Sequence, residues 1–203
     1  MAAVPRMRRP GKIKRYRAQR KAKLFKVTSV GVRAFRLRAS ARNLRKGKFK
    51  SSRMDMTWLT DRIAVGGGIW NAERMAEVSG AGVTHIINMQ IEFDDMPLAR
   101  PHGIAVLWNA IDDDFQPKPV EVFERGVEFG QSALEEEESK LFIHCAAGVH
   151  RAPMMALALL CSLDWDLEEA MELIETKRPE AEFLQVYVNS VRAYLRLQNS
   201  TRK

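Results

Sequence analysis

His144-Cys145-Ala146-Ala147-Gly148-Val149-His150-Arg151 places a thiol, a glycine and a guanidinium in one short segment. An apolar run (LFI, 141–143) precedes it, and a helix-like run (RAPMMALALLCS, 151–162) follows it. A loop that curls off a strand and feeds a helix turns its backbone N–H groups inward. Those groups and the helix dipole make an anion site of phosphate size. Gly148 permits the curl. Cys145 stands at the mouth of this positive field, which favours thiolate over thiol. Arg151 supplies a planar fork for two phosphate oxygens. A nucleophile, an oxyanion cradle and a clamp are the parts needed to attack phosphorus in a phosphate monoester, with phosphocysteine as the first product.

The leaving oxygen then needs a proton, which a carboxylic acid beside the cradle can give before it activates water. Asp112, Asp113 and Asp114 are the candidates, and crowding on one loop favours keeping one of them protonated. The competing reading is a solvated acidic turn before Pro117 and Pro119. His150 either contacts substrate at the rim or faces solvent. Glu92, Asp94 and Asp95 are expected to form a solvated acidic loop near the substrate face, with repulsion of acidic substrates as the lesser reading. Cys161 lies ten positions after Arg151 on the same expected helix, about 15 Å along it and beyond the disulfide reach of about 7 Å. It is read as a core thiol. His85 is read as a core histidine, and His102 carries no signal. No Cys/His cluster has zinc-ligand spacing, and neither a metal nor a cofactor is expected.

These groups need a scaffold. Residues 62–65 (RIAV) read as a strand ending in three glycines, 66–68. Helical character follows over 69–78, stopped near Gly80 and Gly82. Residues 83–89 (VTHIINM) and 104–108 (IAVLW) read as strands. Pro119 opens a helix whose buried face holds Val120, Phe123, Val127 and Leu134, and the acidic run 135–138 ends it as solvated charge. Residues 141–144 form a strand, and helices are expected over 151–162, 167–177 and 181–197. Strands alternating with helices, with the helices clustered late, predict an α/β fold: a central sheet flanked by helices on both faces.

His-Cys-x5-Arg after an apolar strand, with an Asp loop about thirty residues upstream, resembles the cysteine-based dual-specificity protein phosphatases. TDRIAVGGG, GAGVTHIINM and the late Arg178-Pro179 extend the likeness over residues 57–197. The resemblance implies a protein-tyrosine-phosphatase-like fold, Cys145 as nucleophile and Arg151 as phosphate ligand. It also implies phosphate-binding amides at Ala146, Ala147, Gly148, Val149, His150 and Arg151, and a His144 that steadies the loop and the thiolate. The family places its general acid ten residues before an aromatic helix residue; Phe123 fits, which selects Asp113, with Asp112 as fallback. Most of the family carries Ser or Thr after the Arg, where this chain has Ala152. The Ala-Pro pair there is similar to that of the phosphatases of regenerating liver, but the chain ends NSTRK, without a prenylation box. The expected substrates are phosphotyrosine and phosphoserine/threonine in proteins. The rival classes are a phosphate-recognising pseudophosphatase that acts as a binding module, and a rhodanese-like or arsenate-reducing thiol enzyme.

Charge divides the chain of 203 residues. Residues 1–53 hold 20 Lys/Arg and no Asp or Glu; residues 54–203 hold 13 basic and 25 acidic residues. The expectation is a basic extension, disordered in isolation, before a phosphatase-like domain at 54–203. The extension suits nucleic acid, anionic lipid or organelle targeting. Alternatively it lies outside the working protein, with translation starting at Met54 or Met56. No apolar run is long enough to span a membrane, and two Cys make no disulfide framework. A reducing, cytoplasmic setting is expected.

Overall fold

The computed structural model describes residues 53–201. Five strands, β1 (Met56–Trp58), β2 (Ile63–Gly66), β3 (His85–Gln90), β4 (Ala105–Ile111) and β5 (Leu141–His144), form one mixed sheet in the order β1-β2-β5-β3-β4. Only β1 runs antiparallel to its neighbour; β2, β5, β3 and β4 are parallel. β5 lies between β2 and β3, with Ile143 in register with Val65 on one side and Ile87 on the other.

This central strand is apolar at every position before His144 because both of its faces are covered. Leu141 and Ile143 join Ile63, Val65, Ile87 and Met89 in the larger core; Phe142 joins Ala64 and Ile86 in the smaller one. Two helices, α1 (Ala72–Gly80) and α2 (Met96–Ala99), complete the smaller core through Met75, Val78 and Ala99. Four, α3 (Val120–Glu135), α4 (Arg151–Ser162), α5 (Leu167–Lys177) and α6 (Gln185–Thr201), complete the larger. The α/β architecture with helices on both faces is therefore the observed one.

α4 follows β5 directly and is buried from Arg151 to Leu160. Its composition is apolar all round, as enclosure by a sheet and three helices requires. Gly126 lets α3 come close to it: a Cβ there would stand 2.4 Å from Met155 Sδ. The helix N-terminus facing the site is thus seated in the buried core.

Several boundaries depart from expectation. The first helix starts at Ala72 rather than 69, because Asn71 caps it by accepting from Arg74 N at 2.9 Å. Ile69 stays in the preceding loop and is buried. The last helix starts at Gln185 rather than 181, because residues 181–184 are drawn to the loop after β5, where Glu182 N donates to Val149 O at 2.9 Å. β1 and α2, which were not anticipated, are too short to show a period.

Met54 is buried in the smaller core, and its N–H donates to Glu77 at 2.5 Å. The fold therefore includes the residues just before β1. The basic extension read over 1–53, with its nucleic-acid or lipid partners, lies outside the described residues except for Arg53. No helix among the described residues is long and apolar enough to cross a membrane.

Candidate active site

The loop from Cys145 to His150 joins β5 to α4. Its carbonyls are held from outside. Gly68 N donates to Ala146 O at 3.0 Å and Glu182 N to Val149 O at 2.9 Å. Arg178 donates to Ala147 O through NH2 at 3.3 Å and to Gly148 O through Nε at 2.8 Å. In a trans peptide the next N–H points opposite to the carbonyl. Four outward carbonyls thus turn the N–H groups of Ala147, Gly148, Val149 and His150 inward. Gly148 N reaches Cys145 Sγ at 3.2 Å. The sulfur lies at the bottom of this bowl, with Cys145 only 1% exposed.

Gly148 makes the bowl geometrically feasible. Its φ is +68°, and a Cβ would fall 2.5 Å from Gly66 C and 2.4 Å from Arg178 NH2. Arg178 also pairs with Asp55 through NH1 at 2.8 Å and NH2 at 2.7 Å. Burial opposes its charge, but Asp55 more than offsets this and holds its pKa above the ordinary arginine value.

Arg151 is 2% exposed. Its NH1 and NH2 meet Glu92 at 2.9 and 2.7 Å, and NH1 also donates to Ile111 O at 3.0 Å. Burial opposes its charge; Glu92, Cys145 and Asp113 outweigh that and raise its pKa. Its Nε is buried without a hydrogen-bond partner and stands 3.7 Å from Asp113 Oδ2. Nε thus keeps an unused N–H beside Asp113, while Glu92 fixes the terminal nitrogens.

The three acids of the upstream loop differ in placement. Asp113 accepts from the Tyr187 hydroxyl at 2.9 Å through Oδ1, and its Oδ2 meets His150 Nδ1 at 3.0 Å. Asp112 is exposed and accepts from Asp113 N at 2.7 Å. Asp114 pairs with Lys118, whose ammonium holds the carboxyl below its ordinary pKa. Crowding therefore does not keep Asp114 protonated.

His144 is fully buried, and its Nε2 bonds to Asp95 Oδ2 at 2.7 Å rather than to the sulfur; its Nδ1 has no partner. Asp95 is buried as well and accepts from Asn88 Nδ2 at 2.9 Å. The acidic loop read as solvated is thus part of the site's support. Glu92 is spent on Arg151 and Asp95 on His144, because buried cations and imidazoles require partners. His150 is a rim residue, but its contacts run to Asp113 and to Glu182, the latter at 3.4 Å. Tyr187 lies on the buried face of α6; its signal is a phenol in a buried position, where the hydroxyl needs a partner. Asp55 carried no sequence signal. Among the described residues, no group of His, Cys, Asp and Glu is arranged to hold a metal.

Cys161 is half-buried against the core, and burial first, then Glu168 and Asp166, pushes its thiol pKa up to about 12. His85 is likewise half-buried, and burial lowers its pKa; its Nδ1 meets Thr84 Oγ1 at 2.9 Å.

A parallel-stranded α/β fold that carries a buried thiol in an inward-facing amide bowl, with an arginine at the following helix start, defines the cysteine-loop phosphatase class. The family model for the dual specificity phosphatase catalytic domain matches residues 69–196, and the chain belongs to that family. Human protein phosphatase Slingshot homolog 3 is 31% identical over 124 residues, covering 58% of this chain and 18% of that protein. Mouse Slingshot homolog 1 is 29% identical over 125 residues, covering 58% of this chain and 11% of that protein. The chain thus matches under a fifth of these relatives' length. Among solved structures, PTPMT1 in complex with PI(5)P aligns with a TM-score of 0.65 at 17% identity, over 73% of this chain and 99% of that one. Tk-PTP in its active form aligns at 0.61 and 21% identity, over 69% of this chain and 95% of that one. At these identities the likeness is one of fold.

Proposed function

We propose that the domain hydrolyses phosphate monoesters through a phosphocysteine. The carrying observation is the bowl: four outward-held loop carbonyls direct four N–H groups toward the space above Cys145 Sγ. Three phosphoryl oxygens lie in that bowl and toward Arg151, whose Nε has no hydrogen-bond partner. Cys145 Sγ attacks phosphorus as the bond to the leaving oxygen breaks, and Asp113 gives that oxygen a proton. Asp113 then takes a proton from water, which attacks phosphorus and releases phosphate and the cysteine sulfur.

Phosphotyrosine and phosphoserine/threonine in proteins are the proposed substrates. The surroundings favour a monoester without neighbouring phosphates. Arg178 is committed to Asp55 and Lys118 to Asp114, and the carboxylate of Glu182 stands beside His150 at the rim. A polyphosphorylated ligand would meet repulsion there. Half-exposed aromatic rings, Trp70 near Gly68 and Phe115 beside His150, offer apolar walls for a side chain carrying the phosphate. The proposed setting is cytoplasmic.

The test is hydrolysis of an aryl phosphate in EDTA by the parent, Cys145→Ser and Asp113→Asn. Expected are loss of turnover in the first variant and slowing by about a hundredfold or more in the second. A parent that binds vanadate without turnover would replace the enzyme reading with that of a phosphate-binding module.

A further inference from the structure

Asp113 is not a lone carboxylate. Oδ1 accepts from the Tyr187 hydroxyl at 2.9 Å, and that hydroxyl accepts from Phe115 N at 3.2 Å. One phenol therefore ties both the acid and the backbone two residues on. Lys118 Nζ lies 5.2 Å from the centre of the Tyr187 ring while pairing with Asp114, which pins the far side of the same loop. Burial, and then the hydrogen bond to Asp113, push the Tyr187 pKa up to about 12, so the phenol is a donor throughout the working range. Phe115 holds a φ of +58°, an unfavourable conformation for a side chain of its size. The tie to Tyr187 offsets that strain.

The second oxygen faces the catalytic loop. Asp113 Oδ2 stands 3.0 Å from His150 Nδ1 and 3.7 Å from Arg151 Nε. His150 is held in turn by Glu182 Oε2 at 3.4 Å and by the edge-on ring of Phe115. The groups facing the imidazole are thus Asp113 from the β4–α3 loop, Glu182 from the α5–α6 loop and Arg151 beside it. With one proton between Oδ2 and Nδ1, the pair is neutral whichever atom carries it.

We infer that His150 and Tyr187 are positioning residues for the general acid, and that Asp113 and His150 hold the transferred proton as a pair. This rests on the phosphatase reading above. In the first step the protonated pair gives one proton to the leaving oxygen through Oδ2, leaving carboxylate and neutral imidazole. In the second, the pair takes one proton from the attacking water, which restores it. Tyr187 keeps its own proton and holds the carboxyl plane toward the bowl.

The discriminating measurement is leaving-group dependence. Nitrophenol leaves with little help from an acid, whereas phenol needs the proton. The ratio of kcat/KM for nitrophenyl phosphate over phenyl phosphate should rise about tenfold in His150→Asn and in Tyr187→Phe. It should rise further in Asp113→Asn. Adding either change to Asp113→Asn should raise it no more, because both act through that carboxyl. Vanadate affinity reports on the loop and should survive in both single variants.

An unchanged ratio in the variants of an active parent, or losses that multiply with Asp113→Asn, would overturn the inference alone. So would vanadate affinity falling in step with rate, which would mean a damaged loop. A parent without Cys145-dependent turnover would overturn the phosphatase reading and this inference together.

Discussion

Arg178 and Asp55, 123 residues apart in sequence, are joined by two hydrogen bonds of 2.8 and 2.7 Å. The same guanidinium holds two carbonyls of the loop between β5 and α4, so the pair couples the chain just before β1 to the curvature under Cys145. Arg178→Ala orphans the Gly148 and Ala147 carbonyls and is expected to cost about 2–3 kcal/mol in urea unfolding, with phosphate affinity falling as the bowl loosens. Asp55→Asn should cost no more than about 1 kcal/mol, because Asp55 is more than half exposed and its charge is screened.

Gly148→Ala brings two penalties together. The φ of +68° is strained for any side chain, and the added methyl collides with the Gly66 backbone 2.5 Å away. Backbone cannot swing aside as a side-chain tip can. The expected result is a loss of at least about 2 kcal/mol of stability and of vanadate binding, read by urea titration and isothermal calorimetry.

The sequence made legible what is contiguous. β5, the phosphate loop and α4 follow one another directly, so apolar run, glycine and arginine stand in reading order, and the structure matches 141–144 and 151–162 to the residue. Asp113 was reached only through the spacing to Phe123, which carries the acid by family likeness rather than by local physics. Glu92, Asp95, Asp55 and Tyr187 could not be read that way. An acid in a polar turn looks the same whether solvated or bound to a buried cation, and a tyrosine on an apolar stripe looks like core. Their roles come from pairings across 59, 49, 123 and 74 residues. The first-helix boundary failed for a different reason: Asn71 caps the helix, and Ile69 is buried from a loop.

Glu92 gives a pH prediction. Its hydrogen bonds to Arg151 hold its carboxyl below the ordinary value of 4.5, so folding prefers the charged form. The stabilisation is complete above that value and is lost as pH falls through the lower folded-state pKa. Unfolding measured across the acid range should show this loss in the parent and not in Glu92→Gln. Because Glu92 fixes the terminal nitrogens of Arg151, Glu92→Ala should weaken phosphate binding by about tenfold, through misorientation of the guanidinium. Tighter binding would instead make Glu92 a competitor of the substrate.

The two thiols should separate cleanly on alkylation. Burial and the acids Glu168 and Asp166 hold Cys161 as a thiol up to about pH 12, whereas Cys145 faces inward N–H groups and Arg151. Iodoacetamide at neutral pH should label one site per chain, mapped by mass spectrometry to Cys145, and bound vanadate should protect it. Labelling at Cys161 first would contradict the electrostatic basis of the bowl.

Ala152 is fully buried at the start of α4, directly after Arg151. Members of the family that this chain resembles mostly place a hydroxyl there, able to hydrogen-bond the sulfur as it leaves phosphorus. A methyl cannot, so under the proposed phosphocysteine mechanism the sulfur would depart with one donor fewer and the second chemical step should limit turnover. A burst of phenol followed by a slow steady state is then expected in the parent, together with phosphoenzyme trapped by acid quench. Ala152→Ser adds one oxygen in a packed site and supplies the donor. Steady-state kcat should rise by about tenfold, in line with one added hydrogen bond to a charged group, while the burst rate changes little, because attack precedes the step that the hydroxyl assists. A larger burst rate with unchanged steady state would place the hydroxyl in the first step instead, and Ala152 would not be the cause of slow turnover.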